Sequence, residues 1–265
     1  MSWERVLGRV SFINCDPIFH SIGQNWRTLA APPSWLTGHL LRRDCITAPI
    51  PAADYAANCN DLILLQEIGI VGRKSVGSVI LFGNRSLETM RDIALPSDSS
   101  TSNMLMKWIL RQRGLDPKLL PMGPDIETML EECDGALIIG DRAISAALSN
   151  PGLVRMDLGS EWTKITGLPM VFGVFASRKD SPTVLINEAM QSMLRSYNKF
   201  LEDEKIKSDV ASIASKKIGL PIDRVRNYFE SEVSNTLDKT SIDGLLVFLK
   251  EVCEMDSEPS WLVSA

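Results

Sequence analysis

One rhythm constrains this chain more than anything else in it. Short apolar runs alternate with amphipathic stretches of helical period, and the alternation ends where a purely helical block begins. Runs this short, bounded by Gly, Pro and polar clusters, read as strands, and the stretches between them read as helices. The candidate strands are Arg5–Val10, Asp44–Ala48, Leu62–Val71, Ser78–Phe82, Asp92–Leu95, Leu119–Met122, Ala136–Ile139, Leu153–Asp157 and Met170–Ala176. Between them, Asn103–Arg113 sets Asn103, Lys107 and Arg111 on one polar stripe, and Asp125–Glu132 and Arg142–Leu148 follow more weakly. That pattern predicts an α/β architecture with mixed or mainly parallel sheets.

The last third is helical. Thr183–Glu204 repeats Leu185, Ala189, Met193, Tyr197 and Leu201 at intervals of four, and Lys205–Ile218 places Ile206, Val210, Ile213 and Ala214 likewise. Gly219 then Pro221 marks a helix stop and a new start, and Ser241–Cys253 supplies a last apolar face. Such a block must bury its faces, most economically against the sheet of the first unit. No Pro/Ser-rich tether or internal repeat divides the chain, so any two lobes should be joined by strands.

Composition excludes several classes. With 28 Lys+Arg against 33 Asp+Glu the net charge is −5 over 265 residues, which leaves no cationic excess for tracking nucleic-acid phosphates. No segment holds the roughly 18 consecutive apolar residues of a membrane helix. Glu4, Arg5 and Arg9 occupy the place where an export signal needs an apolar core, so a cytoplasmic protein is expected. The five cysteines are scattered without a C-x-x-C pair, and His20 and His39 are the only histidines. No metal site, disulfide framework or nucleophile pair follows from that spacing. Nucleotide loops and hydrolase elbows are also missing, and no cofactor is expected.

What remains is a set of short polar segments at strand ends. The first is Ser11-Phe12-Ile13-Asn14-Cys15-Asp16-Pro17, which reads equally as a ligand-facing strand end or as a turn whose Asn14 or Asp16 caps the next helix. The second is Pro96-Ser97-Asp98-Ser99-Ser100-Thr101-Ser102-Asn103, richer in hydroxyls than one cap requires and placed to bind an anion at a helix start. The third, Ile138-Ile139-Gly140-Asp141-Arg142, brings Gly140 and Asp141 into a turn before a helix, and Ser78 opens a core strand. These read as an anion-binding cleft made of backbone N–H groups, hydroxyls and amides.

Taken in order, the segments resemble the menaquinone-biosynthesis family of chorismate dehydratases. The family opening S-[YF]-[LI]-N-x-x-P is matched by Ser11, Phe12, Ile13, Asn14 and Pro17; S-V-x-L-F by Ser78–Phe82; T-S by Thr101-Ser102; and I-I-G-D by Ile138–Asp141. D-L-G-x-E-W with T-G-L-P-x-V-F is matched by Asp157–Trp162 and Thr166–Phe172, and two later motifs by Ile218–Pro221 and Ser241–Phe248. The chain departs where Ser100 replaces an Arg, where Cys15 replaces a common Thr, and at Ala48–Tyr55, which is two residues longer and places Pro49 and Tyr55.

The resemblance implies a two-lobed fold like the type 2 periplasmic binding proteins, with two crossing strands, a C-terminal helical block on lobe 1 and the ligand between the lobes. Lobe 1 is expected at 1–82 plus 176–265 and lobe 2 at 83–175, the first crossing following Phe82 and the chain returning through Val171–Ala176. It implies a hydro-lyase that takes chorismate, a dicarboxylate, to 3-[(1-carboxyvinyl)oxy]benzoate and water, as a monomer or homodimer. Asn14 is the expected catalytic residue, with Ser11, Ser78, Thr101, Ser102, Ile139, Gly140 and Asp141 binding substrate. Two alternatives stay open: a cytosolic carboxylate-binding protein, and the sister dihydroxynaphthoate synthase, whose histidine has no counterpart placed here.

Overall fold

The computed structural model describes residues 2–262. The apolar runs become eleven strands among them. β1 (Val6–Val10), β2 (Arg27–Ala31), β3 (Thr47–Pro51) and β4 (Leu62–Gly72) begin one sheet. β5 (Val79–Gly83), β6 (Asp92–Pro96), β7 (Lys118–Met122), β8 (Gly135–Ile139) and β9 (Val154–Asp157) form a second. β10 (Met170–Arg178) and β11 (Val233–Leu237) then return to the first. The orders are β11-β4-β10-β3-β1-β2 and β7-β6-β8-β5-β9. β1 pairs in parallel with β2 and β3, whereas β10 runs antiparallel to β3 and β4. In the second sheet β6 is parallel to β7 and β8, and β5 is antiparallel to β8 and β9. Both sheets are therefore mixed.

The chain passes between the sheets at 73–78 and again at 158–169. Here the sequence-based boundary needs correction. β5 is paired on both sides within the second sheet, so the crossing precedes Ser78–Phe82 instead of following it. The returning strand β10 belongs to the first sheet from Met170 onward. An apolar run cannot announce which sheet it joins; only its pairing partners, here β8 and β9, decide that. One carboxylate ties both crossings: Asp157 accepts from Val76 N and Gly77 N on the first and from Ser160 N on the second.

Two strands escaped the sequence pattern. β2 is an edge strand with a mostly exposed surface, so it carries no apolar signal of its own. β11 alternates inward at Val233, Asn235 and Leu237, but its central inward residue is polar. Asn235 is tolerated because its amide donates to Gly69 O and its backbone N–H to Tyr197 Oη. β3 also lies three residues later than expected.

Of the C-terminal helices, Lys239–Val247 packs on β10 and Thr183–Glu202 on helix Asp16–Phe19 and on β4, and the helices between pack on one another. Helix Thr183–Glu202 buries Ala189, Met193 and Tyr197 as expected, together with Ile186, Met190 and Phe200, while Leu201 is exposed. A strict four-residue repeat drifts about 40° around a helix at each step, so its last member rotates out of the core. Ile213, placed on the buried stripe of Glu204–Ile218, points to solvent, because the buried face of this helix centres on Val210, Ala211 and Ala214, about 100° around the axis from it. Trp162 meets Trp108 and Phe248 at 5.4 and 6.0 Å between ring centroids, which seams the C-terminal block to the middle segment. No helix among the described residues is long and apolar enough to cross a membrane.

Candidate active site

Four helices begin at one cleft between the sheets: Pro33–Leu41, Ala52–Ala57, Ser100–Gln112 and Asp141–Ser149. Their preceding residues are Pro32, Pro51, Ser99 and Gly140, and none of these makes a side-chain capping bond. The first backbone N–H groups of a helix have no partner inside it and carry the positive end of its dipole. The cleft holds about 550 Å³, counting its open mouth, within the size range of small-molecule sites. Phe12, Ile70, Val76, Val79 and Phe172 give it apolar walls. Asn14, Ser78, Ser99, Thr101 and Ser102 supply its polar side chains, and no ionisable side chain lines it among the described residues.

Asn14 sits in a single 3-10 turn, Ile13–Cys15, following β1. Its Oδ1 is buried without a hydrogen-bond partner, and it caps neither this turn nor the helix Asp16–Phe19. The capping alternative is thereby removed. A buried amide oxygen with no partner is costly unless something else fills the role.

Thr101 Oγ1 accepts from Ala53 N, so a hydroxyl of one unit ties down the start of a helix in the other while its own hydrogen stays free. Ser99, which sequence reading left out of the site, donates through Oγ to Ser102 Oγ at 2.8 Å. Ile139 and Gly140 form a wall. Gly140 has φ +66°, and a Cβ there would lie 2.6 Å from the Phe12 ring, so only glycine permits this approach. The Arg142 guanidinium lies over the other part of that ring and pairs with Asp98.

Two expected site residues stand elsewhere. Ser11 is exposed and does not line the cleft; its backbone N–H goes to Ala31 O and its carbonyl accepts from Lys217 Nζ. Parallel pairing with β2 turns it away, a consequence that the motif alone does not contain. Asp141 also does not line the cleft. Its Oδ1 accepts from Ile13 N at 3.0 Å, which fixes the turn that presents Asn14. Burial pushes the Asp141 carboxyl up to about 6, against the lowering effect of that N–H and of Lys217. Asp16, paired with Arg9, is raised by burial as well. Cys15 is fully buried, and burial pushes its thiol up to about 12.

The cleft wall also takes Pro49, Ile50 and Pro51 from β3 and Gly173 from β10, none of which is among the site residues expected from sequence. The Pro-x-Pro signal was present there, but prolines in a strand gave no reason to expect a ligand. No group of three or more His, Cys, Asp or Glu side chains among the described residues could hold a metal ion.

Two α/β units joined by two crossings, with helix starts facing a shared cleft, define the architecture of the periplasmic binding proteins. The crystal structure of protein AF1704 from Archaeoglobus fulgidus superposes with a TM-score of 0.74 at 19% identity, covering 94% of this chain and 96% of that one. The periplasmic aliphatic sulphonate binding protein SsuA from Escherichia coli gives 0.64 at 15% identity, covering 98% and 94%. Both show the fold. Residues 6–254 match the menaquinone biosynthesis family, and the chain belongs to it. It is 32% identical over 193 residues to the chorismate dehydratase of Thermus thermophilus, covering 67% of this chain and 71% of that protein.

Proposed function

We propose that this protein is a chorismate dehydratase, a hydro-lyase that converts chorismate to 3-[(1-carboxyvinyl)oxy]benzoate and water. The observation that carries this reading is a cleft built for anions without a charged side chain: uncapped helix starts, three hydroxyls on one of them, and an unpartnered Asn14. Such a site holds a dicarboxylate by backbone N–H groups and helix dipoles, and its apolar walls suit a six-membered ring. Family membership and the 32% identical relative support the same substrate.

The reaction removes a proton from the ring carbon bearing the enolpyruvyl ether and hydroxide from the adjacent carbon, leaving an aromatic ring. With no ionisable side chain among the described residues on the wall, the substrate's own side-chain carboxylate is the base in this scheme, and the proton leaves with the hydroxide as water. Asn14 orients that carboxylate or donates to the departing hydroxyl, and Thr101 and Ser102 hold a carboxylate at the helix start. Ser78, in the same unit as Thr101 and Ser102, supplies a further hydroxyl. Aromatisation supplies driving force, so orientation and charge stabilisation suffice.

The test is to mix the purified protein with chorismate and follow the aromatic product by absorbance and mass. Turnover is expected, and chorismate bound but unchanged would establish a binding protein instead. Asn14→Ala should lower kcat by about 10²–10³ at nearly constant melting temperature. Asn14→Asp should be at least as damaging, because it sets a like charge against a dianion. A fully active Asn14→Asp enzyme would remove Asn14 from the scheme.

A further inference from the structure

Tyr228 lies outside the cleft, in the π-helical turn Tyr228–Glu232 that follows helix Ile222–Asn227. It is 1% exposed, and its hydroxyl donates to Ser78 Oγ at 3.1 Å. Ser78 is itself buried and lines the cleft. A serine hydroxyl has two lone pairs and one hydrogen. Once Tyr228 occupies a lone pair, that hydrogen is left for an acceptor on the cleft side. The phenol also polarises the serine O–H, because donors in series strengthen one another.

The surroundings hold this pair in place by other means. Asp157 accepts from the two N–H groups immediately before Ser78, at Val76 and Gly77. Gly77 has φ +64°, and a Cβ there would overlap the Glu232 carboxylate. Glu232 is bound by Arg224 at 2.9 Å and by Asn227 at 2.9 Å. Ser78 O accepts from Gly140 N. The backbone of Ser78 is thus clamped independently of Tyr228, and what the phenol alone still governs is the direction of the Ser78 O–H bond. Burial raises the Tyr228 phenol above its ordinary range, so it remains a donor throughout the neutral range.

We infer that Tyr228 is a positioning residue for the reaction: it orients and polarises the Ser78 hydroxyl toward the substrate's departing oxygen. This rests on the dehydratase reading. Tyr228→Phe keeps the ring and removes only the donor, so kcat should fall about fivefold to tenfold with KM within about twofold. Ser78→Ala should fall further. The double variant should be no slower than Ser78→Ala, because Tyr228 acts only through that oxygen. Fluorotyrosine at position 228, a stronger donor of nearly the same shape, should raise kcat above wild type, an effect that a packing role does not produce.

The outcomes separate cleanly. A wild-type protein that leaves chorismate unchanged overturns the dehydratase reading and this assignment with it. Wild-type turnover with an unaltered Tyr228→Phe overturns the assignment alone, as does a Tyr228→Phe effect that multiplies in full on the Ser78→Ala background. If Tyr228→Phe does not fold, the fluorotyrosine protein decides: an unchanged kcat overturns the proposal.

Discussion

Among the described residues, aspartate caps occur at helix starts that face away from the cleft and at none of the four that open onto it. Four that start away from the cleft are preceded by Asp125, Asp157, Asp203 and Asp238, and each carboxylate accepts from the first turn of its helix. Three more among the described residues start after Cys15, Pro182 and Pro221 with no side-chain cap. The four that start at the cleft have Pro, Pro, Ser and Gly in that place and no capping bond. An aspartate cap satisfies the free N–H groups and cancels the dipole. Its omission at the cleft-facing starts leaves positive potential where a dianionic ligand would need it, although at helix Ala52–Ala57 the Ala53 N–H is taken by Thr101 Oγ1. Capping stability is built into four of the outer starts and into none of the inner ones. A site can therefore be strongly anion-selective while the chain as a whole is acidic.

The comparison is broken most directly by Ser99→Asp, which gives helix Ser100–Gln112 the cap of an outer helix. Like charge against a bound carboxylate costs several kcal/mol, so KM for chorismate should rise about 100-fold. The melting temperature should hold or rise, because aspartate is a good cap. Steady-state kinetics and a thermal melt on one sample test both halves, and an unchanged KM would show that this helix start does not meet the substrate.

Asp141→Asn sharpens the contrast through pH. Asp125, an outer cap, is held below its ordinary range by the Thr128 N–H, whereas Asp141 is pushed from 3.8 up to about 6 by burial. The folded state therefore holds the Asp141 proton more tightly than the unfolded chain does. The stability it contributes is present below the ordinary value and is lost as pH rises through about 6. An amide in its place keeps an acceptor for Ile13 N without the ionisation cost. The variant should melt about 3–6 °C higher at about pH 7.5, with the gain vanishing near pH ~4, and thermal melts across that range follow it.

The smallest effect belongs to an outer cap. Asp203→Ala removes bonds from Lys205 N and Ile206 N and should cost about 1 kcal/mol, or about 2–4 °C. Its kcat and KM should match wild type; a change in either would mean that outer and inner helix ends are coupled.

Much of this was legible in the chain. Nine strand segments, the main helices and the Gly219–Pro221 break followed from periodicity and turn chemistry, and the family resemblance pointed to Asn14, Ser78, Thr101, Ser102, Ile139 and Gly140, all of which line the cleft. Those signals are local, and each survives folding because it depends on neighbours a few residues away. The remainder was not local. Ser11 and Asn14 lie three residues apart in one motif, yet one faces solvent and the other the cleft, because β2 pairs with one end of the motif and Asp141 grips the other.

The sequence by itself determined the α/β class, the helical tail and a hydroxyl-rich stretch at the start of the Ser100–Gln112 helix. The tertiary structure alone decided that β5 joins the second sheet, that Asp141 turns back to hold Ile13, and that Tyr228 reaches Ser78 across 150 residues of chain. Patterns of period 2 and 3.6 specify which face of an element is apolar. They carry no information about which distant element that face will meet, and the polar contacts of this cleft are made between such distant elements.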